Sequence, residues 1–195
     1  MISPLSDRDT LTIARILKVN HAGEYGAIRI YRAQVAVARL FYPDMVQPLS
    51  EMLRHEIEHC AKFRAAMPAR HARPCRIMSL WSLGGSVLGC LTALMGRQSI
   101  WTCTAAVESA VHRHLDDQLL FLELRDSELH RIILDIREEE LSHLNTAETN
   151  IRGSSILRRV LRGVISWLTN VMIWFSTWGD STRMVRELEA GKRVP

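Results

Sequence analysis

The chain has 195 residues, 47% of them hydrophobic, which is enough for one domain (1–195) with a sizeable core. Its net charge of +4 is mildly basic, but there is no long Lys/Arg run, no aromatic-rich strand pattern and no zinc-finger spacing, so nucleic acid is not an expected partner. The same charge suits a surface that meets anionic lipid head groups.

The start, MISPLSDRDT, lacks the basic and then apolar pattern of a signal peptide, and none is expected. The spacing predicts a first helix over about 7–40, with Glu24, Ala27, Ile28, Tyr31, Val35 and Ala38 on one stripe. FYPD (41–44) breaks it. A second helix, about 44–67, carries Leu49, Met52, Glu56, His59, Cys60, Phe63 and Met67 on one stripe and ends at Pro68. A basic loop with Arg70, Arg73 and Arg76 follows. Ile77 to Met95 is nineteen residues without a charge, read as an apolar accessory helix over about 77–95. A further helix, about 100–124, lines up Ala105, Glu108, Val111, His112, Leu115 and Leu119. RDS (125–127) is a turn with Ser127 as the expected N-cap. The helix after it, about 127–150, aligns Leu129, Ile133, Ile136, Glu140, His143, Leu144 and Ala147. A last apolar, Trp-rich helix is expected over about 156–178, with Arg158, Arg159 and Arg162 at its start. No segment reads as a strand. Cys60, Cys75, Cys90 and Cys103 form no C-x-x-C pair and are read as reduced thiols of a cytosolic compartment.

Two E-x-x-H motifs stand out, Glu56/His59 and Glu140/His143. A lone E-x-x-H is weak evidence in a helical chain. Here each is preceded at 32 residues by another glutamate, Glu24 and Glu108, and the two units are offset by 84. Antiparallel helices folding at the two turns would bring each lone Glu level with its E-x-x-H, about 24 Å from the turn at 1.5 Å rise per residue. All six residues lie on core-facing stripes, where ionisable groups are costly unless neutralised. Four carboxylates and two imidazoles suit two divalent metals, the ferritin-like di-iron or di-manganese pattern. The expected fold is all-α: a ferritin-like four-helix bundle carrying a di-metal site, plus two apolar membrane-facing or packing helices.

HEIEHC (55–60) also fits the zinc-protease pattern H-E-x-x-H. Zinc proteases need a third ligand downstream, but the next acid after Glu58 is Glu108, and Ala65 stands where a third His would fall. His55 is therefore expected to be a bystander on the helix flank.

With these positions in hand, the sequence resembles the demethoxyubiquinone hydroxylases of ubiquinone biosynthesis. VNHAGEYGAIRIYRAQ (19–34), HEIEHCAKF (55–63), AVESAVHRHLDDQ (106–118) and REEELSH (137–143) are similar to that family's four metal helices, over roughly residues 12–150. The resemblance implies that Glu24, Glu56, His59, Glu108, Glu140 and His143 hold two Fe ions, with Glu56 and Glu140 bridging. It also puts His114 close to the metals. The chain departs from some members at Leu115, where they have a tyrosine, and in the tail WFSTWGDSTR (174–183). The implied activity is O2-dependent hydroxylation of a demethoxyubiquinone-type ring by a di-iron monooxygenase. The alternatives are a ferroxidase or manganese catalase, since Fe and Mn share these ligands, and a non-catalytic membrane-bound quinone- or lipid-binding paralogue.

No G-x-G-x-x-G follows a strand, so electrons would come from an external donor, NADH or a reductase. Expected partners are the quinone, O2, a membrane surface, a ubiquinone-biosynthesis complex or lipid-binding accessory protein, and a second copy of the chain. The expected location is the cytoplasmic face of a bacterial inner membrane, or the mitochondrial inner membrane in a eukaryote. Gly84, Gly85, Ser86 and Gly89 would pack closely, while Met78, Leu80, Trp81 and Leu83 would meet lipid. Arg70, Arg73, Arg76, Arg158, Arg159 and Arg162 would anchor the two apolar segments at the head groups.

Overall fold

The computed structural model describes residues 5–153, 155–179, 182 and 186. Residues 180, 181 and 183 of the distinctive tail lie outside these. Among the described residues the fold is all-α, a bundle of six helices with no strand. The helices are α1 (Asp7–Phe41), α2 (Val46–Ala66), α3 (Met78–Leu94), α4 (Arg97–Leu122), α5 (Ser127–Asn150) and α6 (Ile156–Thr177).

Two long hairpins form the centre, α1 with α2 and α4 with α5. Ser6 caps α1 by accepting the Asp9 N–H at 3.0 Å. The cap of α5 is Asp126, not Ser127: its carboxylate accepts the Leu129 N–H at 3.0 Å, and Ser127 is the first helical residue. A carboxylate accepts more strongly than a hydroxyl at a helix N-terminus. It also receives Arg70 in a bidentate pair at 2.6 and 2.7 Å, so one side chain both starts α5 and ties it to the end of α2.

The core-facing stripes pack into two apolar blocks. One contains Ile16, Leu17, Phe63, Leu115, Leu122, Leu129 and Ile133. The other contains Tyr31, Val35, Leu49, Met52, Ile100, Ala105 and Ala147. On every one of the four central helices the glutamates of interest lie between the segments that supply these blocks.

Helix α3 lies against α1 at backbone contact. A Cβ on Gly85 would sit 2.5 Å from the Gly26 carbonyl oxygen, and one on Gly89 would run into the Ile30 carbonyl. Gly84 faces open space. Trp81 does not meet the outside: it is buried, with its ring over Gly26, where the missing side chain leaves room for an indole. Leu80 and Leu83 are exposed, as are Val87, Leu91 and Leu94. Helix α6 covers α4 and α1 through Ile165 and Ile173 and leaves Val160, Val164, Trp167, Trp174 and Phe175 exposed. Among the described residues no helix is long and apolar enough to cross a membrane. Three of the expected anchor arginines turn back onto the protein instead. Arg70 pairs with Asp126, Arg158 donates to Gln98 at 2.9 Å, and Arg162 pairs with Glu148 at 2.6 Å.

Candidate metal centre

Glu24 comes from α1, Glu56 and His59 from α2, Glu108 from α4, and Glu140 and His143 from α5. The structure brings all six together in the polar layer between the apolar blocks, each buried. They form two overlapping sets, Glu24/Glu56/His59/Glu140 and Glu56/Glu108/Glu140/His143, and within each set the donor atoms lie within 4.8 Å of one another. Each set has one lone glutamate and one imidazole, and both share Glu56 and Glu140.

The electrostatics are those of crowded acids. Burial raises the carboxyls of Glu24, Glu56 and Glu108 well above the usual range, and neighbouring carboxylates raise them further. Burial acts on Glu140 in the same direction, but the nearby imidazoles of His143 and His59 and the Glu108 carboxyl outweigh it and hold this acid below its usual value. His59 Nδ1 lies 3.0 Å from Glu140 Oε1 and 3.9 Å from Glu24 Oε2. His143 Nδ1 lies 3.4 Å from Glu56 Oε1 and 3.5 Å from Glu140 Oε2. Those last three atoms are buried and make no hydrogen bond. Orphaned polar atoms are rare in protein interiors, and three converging on one point are what a bound cation would satisfy. The donor set, hard carboxylates with one imidazole each, fits iron or manganese in both positions.

Several neighbours were not legible as site residues. The buried phenol of Tyr31 donates to Glu108 Oε1 at 2.8 Å. His55 is not a bystander: its Nδ1 lies 2.9 Å from His143 Nε2, with the two rings within 4° of parallel. It still belongs to neither donor set. Glu139 Oε2 lies 3.2 Å from His59 Nε2. His55 and Glu139 each stand one place before an E-x-x-H glutamate, 84 residues apart, so the repeat itself was the signal that could have found them.

His114 lines a small cavity of about 40 Å³ together with Glu24, Glu56, Glu108 and Glu140. Its Nε2 contacts Asn170 Oδ1 of α6 at 3.0 Å, and burial lowers its affinity for a second proton. A larger apolar cavity of about 230 Å³ adjoins, walled by α1, α3, α4 and α6. Gly23, Ala27, Val107, Val111 and Ile173 line both.

Fold and cluster together define a class: a helical bundle with a buried carboxylate–imidazole centre suited to two cations. The sequence pattern of the family described as "Ubiquinone biosynthesis protein COQ7" matches residues 11–176. The chain belongs to that family. It is 38% identical over 146 residues to the mouse protein named NADPH-dependent 3-demethoxyubiquinone 3-hydroxylase, mitochondrial, covering 73% of this chain and 66% of the mouse one. It is 37% identical over 164 residues to the 3-demethoxyubiquinol 3-hydroxylase of Rhodospirillum rubrum, covering 84% and 77%. To the 5-demethoxyubiquinone hydroxylase, mitochondrial, of Saccharomyces cerevisiae it is 30% identical over 185 residues, covering 87% and 79%.

Proposed function

We propose that the protein is an O2-dependent di-iron hydroxylase acting on the ring of a demethoxyubiquinone-type quinone. The observation that carries this reading is the pair of overlapping donor sets sharing Glu56 and Glu140. Glu24 and His59 would complete one iron position, and Glu108 and His143 the other. When bound, the iron pair supplies the redox chemistry of O2 activation.

The chain's own residues do the rest. Val107, Val111 and Ile173 form an apolar wall between the larger cavity and the carboxylates, which fits a quinone ring that enters from that side and keeps water out. His114, oriented by Asn170, lines the small cavity beside the carboxylates and would offer its imidazole to a ring oxygen there. The exposed apolar rows of α3 and α6 flank the larger cavity and support peripheral attachment to a bilayer, where a long-tailed quinone resides. The mouse relative's name supports a nicotinamide as the source of electrons. The mitochondrial names of the eukaryotic relatives fit a placement at the inner membrane or its bacterial counterpart.

The test is metal analysis of the purified chain together with O2-dependent conversion of a demethoxyquinone, followed by mass spectrometry. Two irons per chain with ring hydroxylation, both lost in Glu140→Ala at unchanged helical content, is the expected result. Bound metal with no hydroxylation would favour a ferroxidase or a manganese catalase. A chain that binds no metal would sink every metalloenzyme reading and leave a quinone- or lipid-binding protein. Flotation with anionic liposomes tests the attachment: a chain that stays at the bottom of the gradient contradicts it.

A further inference from the structure

Helix α1 carries two glycines, Gly23 and Gly26, in the stretch that faces the larger cavity. A glycine inside a helix is less stable than an alanine there, so each calls for a reason. Gly26 has one: a Cβ on it would sit 2.9 Å from the Trp81 ring. Gly23 has none of the usual ones. Its backbone is ordinary helix, and a Cβ on it would meet nothing within 4 Å although the residue is half-buried. What it keeps open is the space between the two cavities, for Gly23 lines both the small one beside the carboxylates and the larger apolar one.

Ala27, one turn further along α1, widens the same opening, and Val107 and Val111 line it from α4. Side-chain hydrogen bonds join α1 to α4 on either side of it. Asn20 and Gln118 exchange a pair at 2.7 and 3.0 Å, one turn before Gly23. About two turns after it, Tyr31 donates to Glu108 at 2.8 Å. The two bridges fix the separation of the helices, so the clearance between them depends on the side chains at positions 23 and 27.

We propose that Gly23 determines specificity: its missing side chain leaves a slot through which a flat conjugated ring passes from the larger cavity to the carboxylates, while a branched apolar tail stays behind. A ring face rests about 3.5–4.0 Å from the carbon atoms that flank it, so a ring held between the two helices has about 1 Å of slack over both faces. A Cβ moves the α1 wall forward by about 1.5 Å, more than that slack. A chain branched at tetrahedral carbons is thicker than a ring and stops at the same point. The inference rests on the ring-hydroxylase reading proposed above for its substrate.

Gly23→Ala in the whole chain is the test. Gly163→Ala is its control, because Gly163 lies exposed on α6 and a Cβ there also meets nothing within 4 Å. Both variants should melt roughly 1–4 °C above the wild type by circular dichroism. Both should take up Mn(II) as the wild type does, by calorimetry. Only Gly23→Ala should lose the ring. Its affinity for a short-tailed demethoxyquinone, read by quenching of tryptophan fluorescence in the metal-free chain, should fall about 10- to 100-fold, and its kcat/KM for hydroxylation by a similar factor. A Gly23→Ala chain that binds the quinone like the wild type, that melts lower, or whose Mn(II) affinity falls along with turnover would refute the slot. A wild type that binds the quinone and never hydroxylates it would refute the hydroxylase reading alone, and the binding measurement would still decide the slot. A wild type that binds no quinone would refute both.

Discussion

Replacing Gly89 with alanine should lower the melting temperature, whereas Gly84→Ala, five residues earlier on the same helix, should raise it. At position 89 the new methyl runs into the Ile30 carbonyl oxygen, 2.9 Å from Ile30 Cα and 3.0 Å from Ala33 Cβ. Carbon atoms rest at about 3.5–4.0 Å, so α3 must retreat from α1 by roughly half an ångström or more. The obstacle is backbone and has no rotamer to escape into, which puts the cost at the upper end of the ~1–3 kcal/mol typical of overpacking. Alanine's preference for helix returns about 1 kcal/mol, leaving a net loss of about 2 kcal/mol. For a chain of this length that is a fall of about 4–8 °C. A methyl at Gly84 meets nothing within 4 Å, so only the helix preference acts there. The gain of about 0.5–1 kcal/mol is a rise of roughly 1–4 °C. Thermal unfolding followed by circular dichroism at the helix band, on both variants and the wild type, decides the matter. A Gly89→Ala chain as stable as the wild type, or a Gly84→Ala chain that falls with it, would refute backbone contact between α1 and α3.

Tyr31→Phe keeps the ring and removes the donor to Glu108, so Mn(II) affinity should fall by about tenfold with melting nearly unchanged, as read by calorimetry. Unaltered affinity would mean that the phenol does not position the carboxylate. Asp126→Ala removes a helix cap and the bidentate partner of Arg70, which keeps only Glu128 at 3.1 Å and the Ala66 carbonyl, a loss of about 1–3 kcal/mol by urea denaturation. Burial raises the Asp126 carboxyl, but Arg70 and the α5 backbone outweigh it and hold it below the usual range, so the stability it gives is present above the ordinary aspartate pKa and is lost as pH falls through the lowered one. In the metal-free chain the raised carboxyls of Glu24, Glu56 and Glu108 act in the opposite sense: the folded state holds protons that the unfolded state releases. Melting temperature should therefore fall as pH rises from the ordinary glutamate value toward neutrality, and added divalent metal should remove most of that slope. A flat profile without metal would mean that the acids are not crowded.

The six central glutamates and histidines were legible because helical periodicity and an antiparallel hairpin convert a 32-residue spacing into spatial neighbours. Nothing longer in range than one hairpin was needed except the offset of 84 residues that pairs the halves. What the sequence hid depends on side-chain direction across elements. Trp81 reads as a lipid-facing aromatic until Gly26 of another helix is seen to make room for it. Arg158 and Arg162 read as anchors until Gln98 and Glu148 are found beside them. His55 was set aside because a zinc-protease pattern failed, and that failure says nothing about what an imidazole on the helix flank touches on α5. Asp126 outranked Ser127 as a cap because it also has a cation to hold.

The polar layer that carries the centre also divides the hydrophobic interior. Leu17, Phe63, Leu122 and Ile133 lie on one side of it, and Val35, Leu49, Ile100 and Ala147 on the other. At the level of the glutamates the apolar residues of the central helices, Val19, Ala22 and Ala106, pack outward toward α3 and α6 instead of joining either block. The cohesion of the two blocks thus passes through a stratum of mutually repelling acids, and a pair of cations would act there as a rivet. Filling that stratum with cations should couple the two blocks, so that the loaded bundle melts more nearly as one unit than the empty one. Exchange of backbone amides at the two ends of α1 would be correlated in the loaded chain and independent in the empty one.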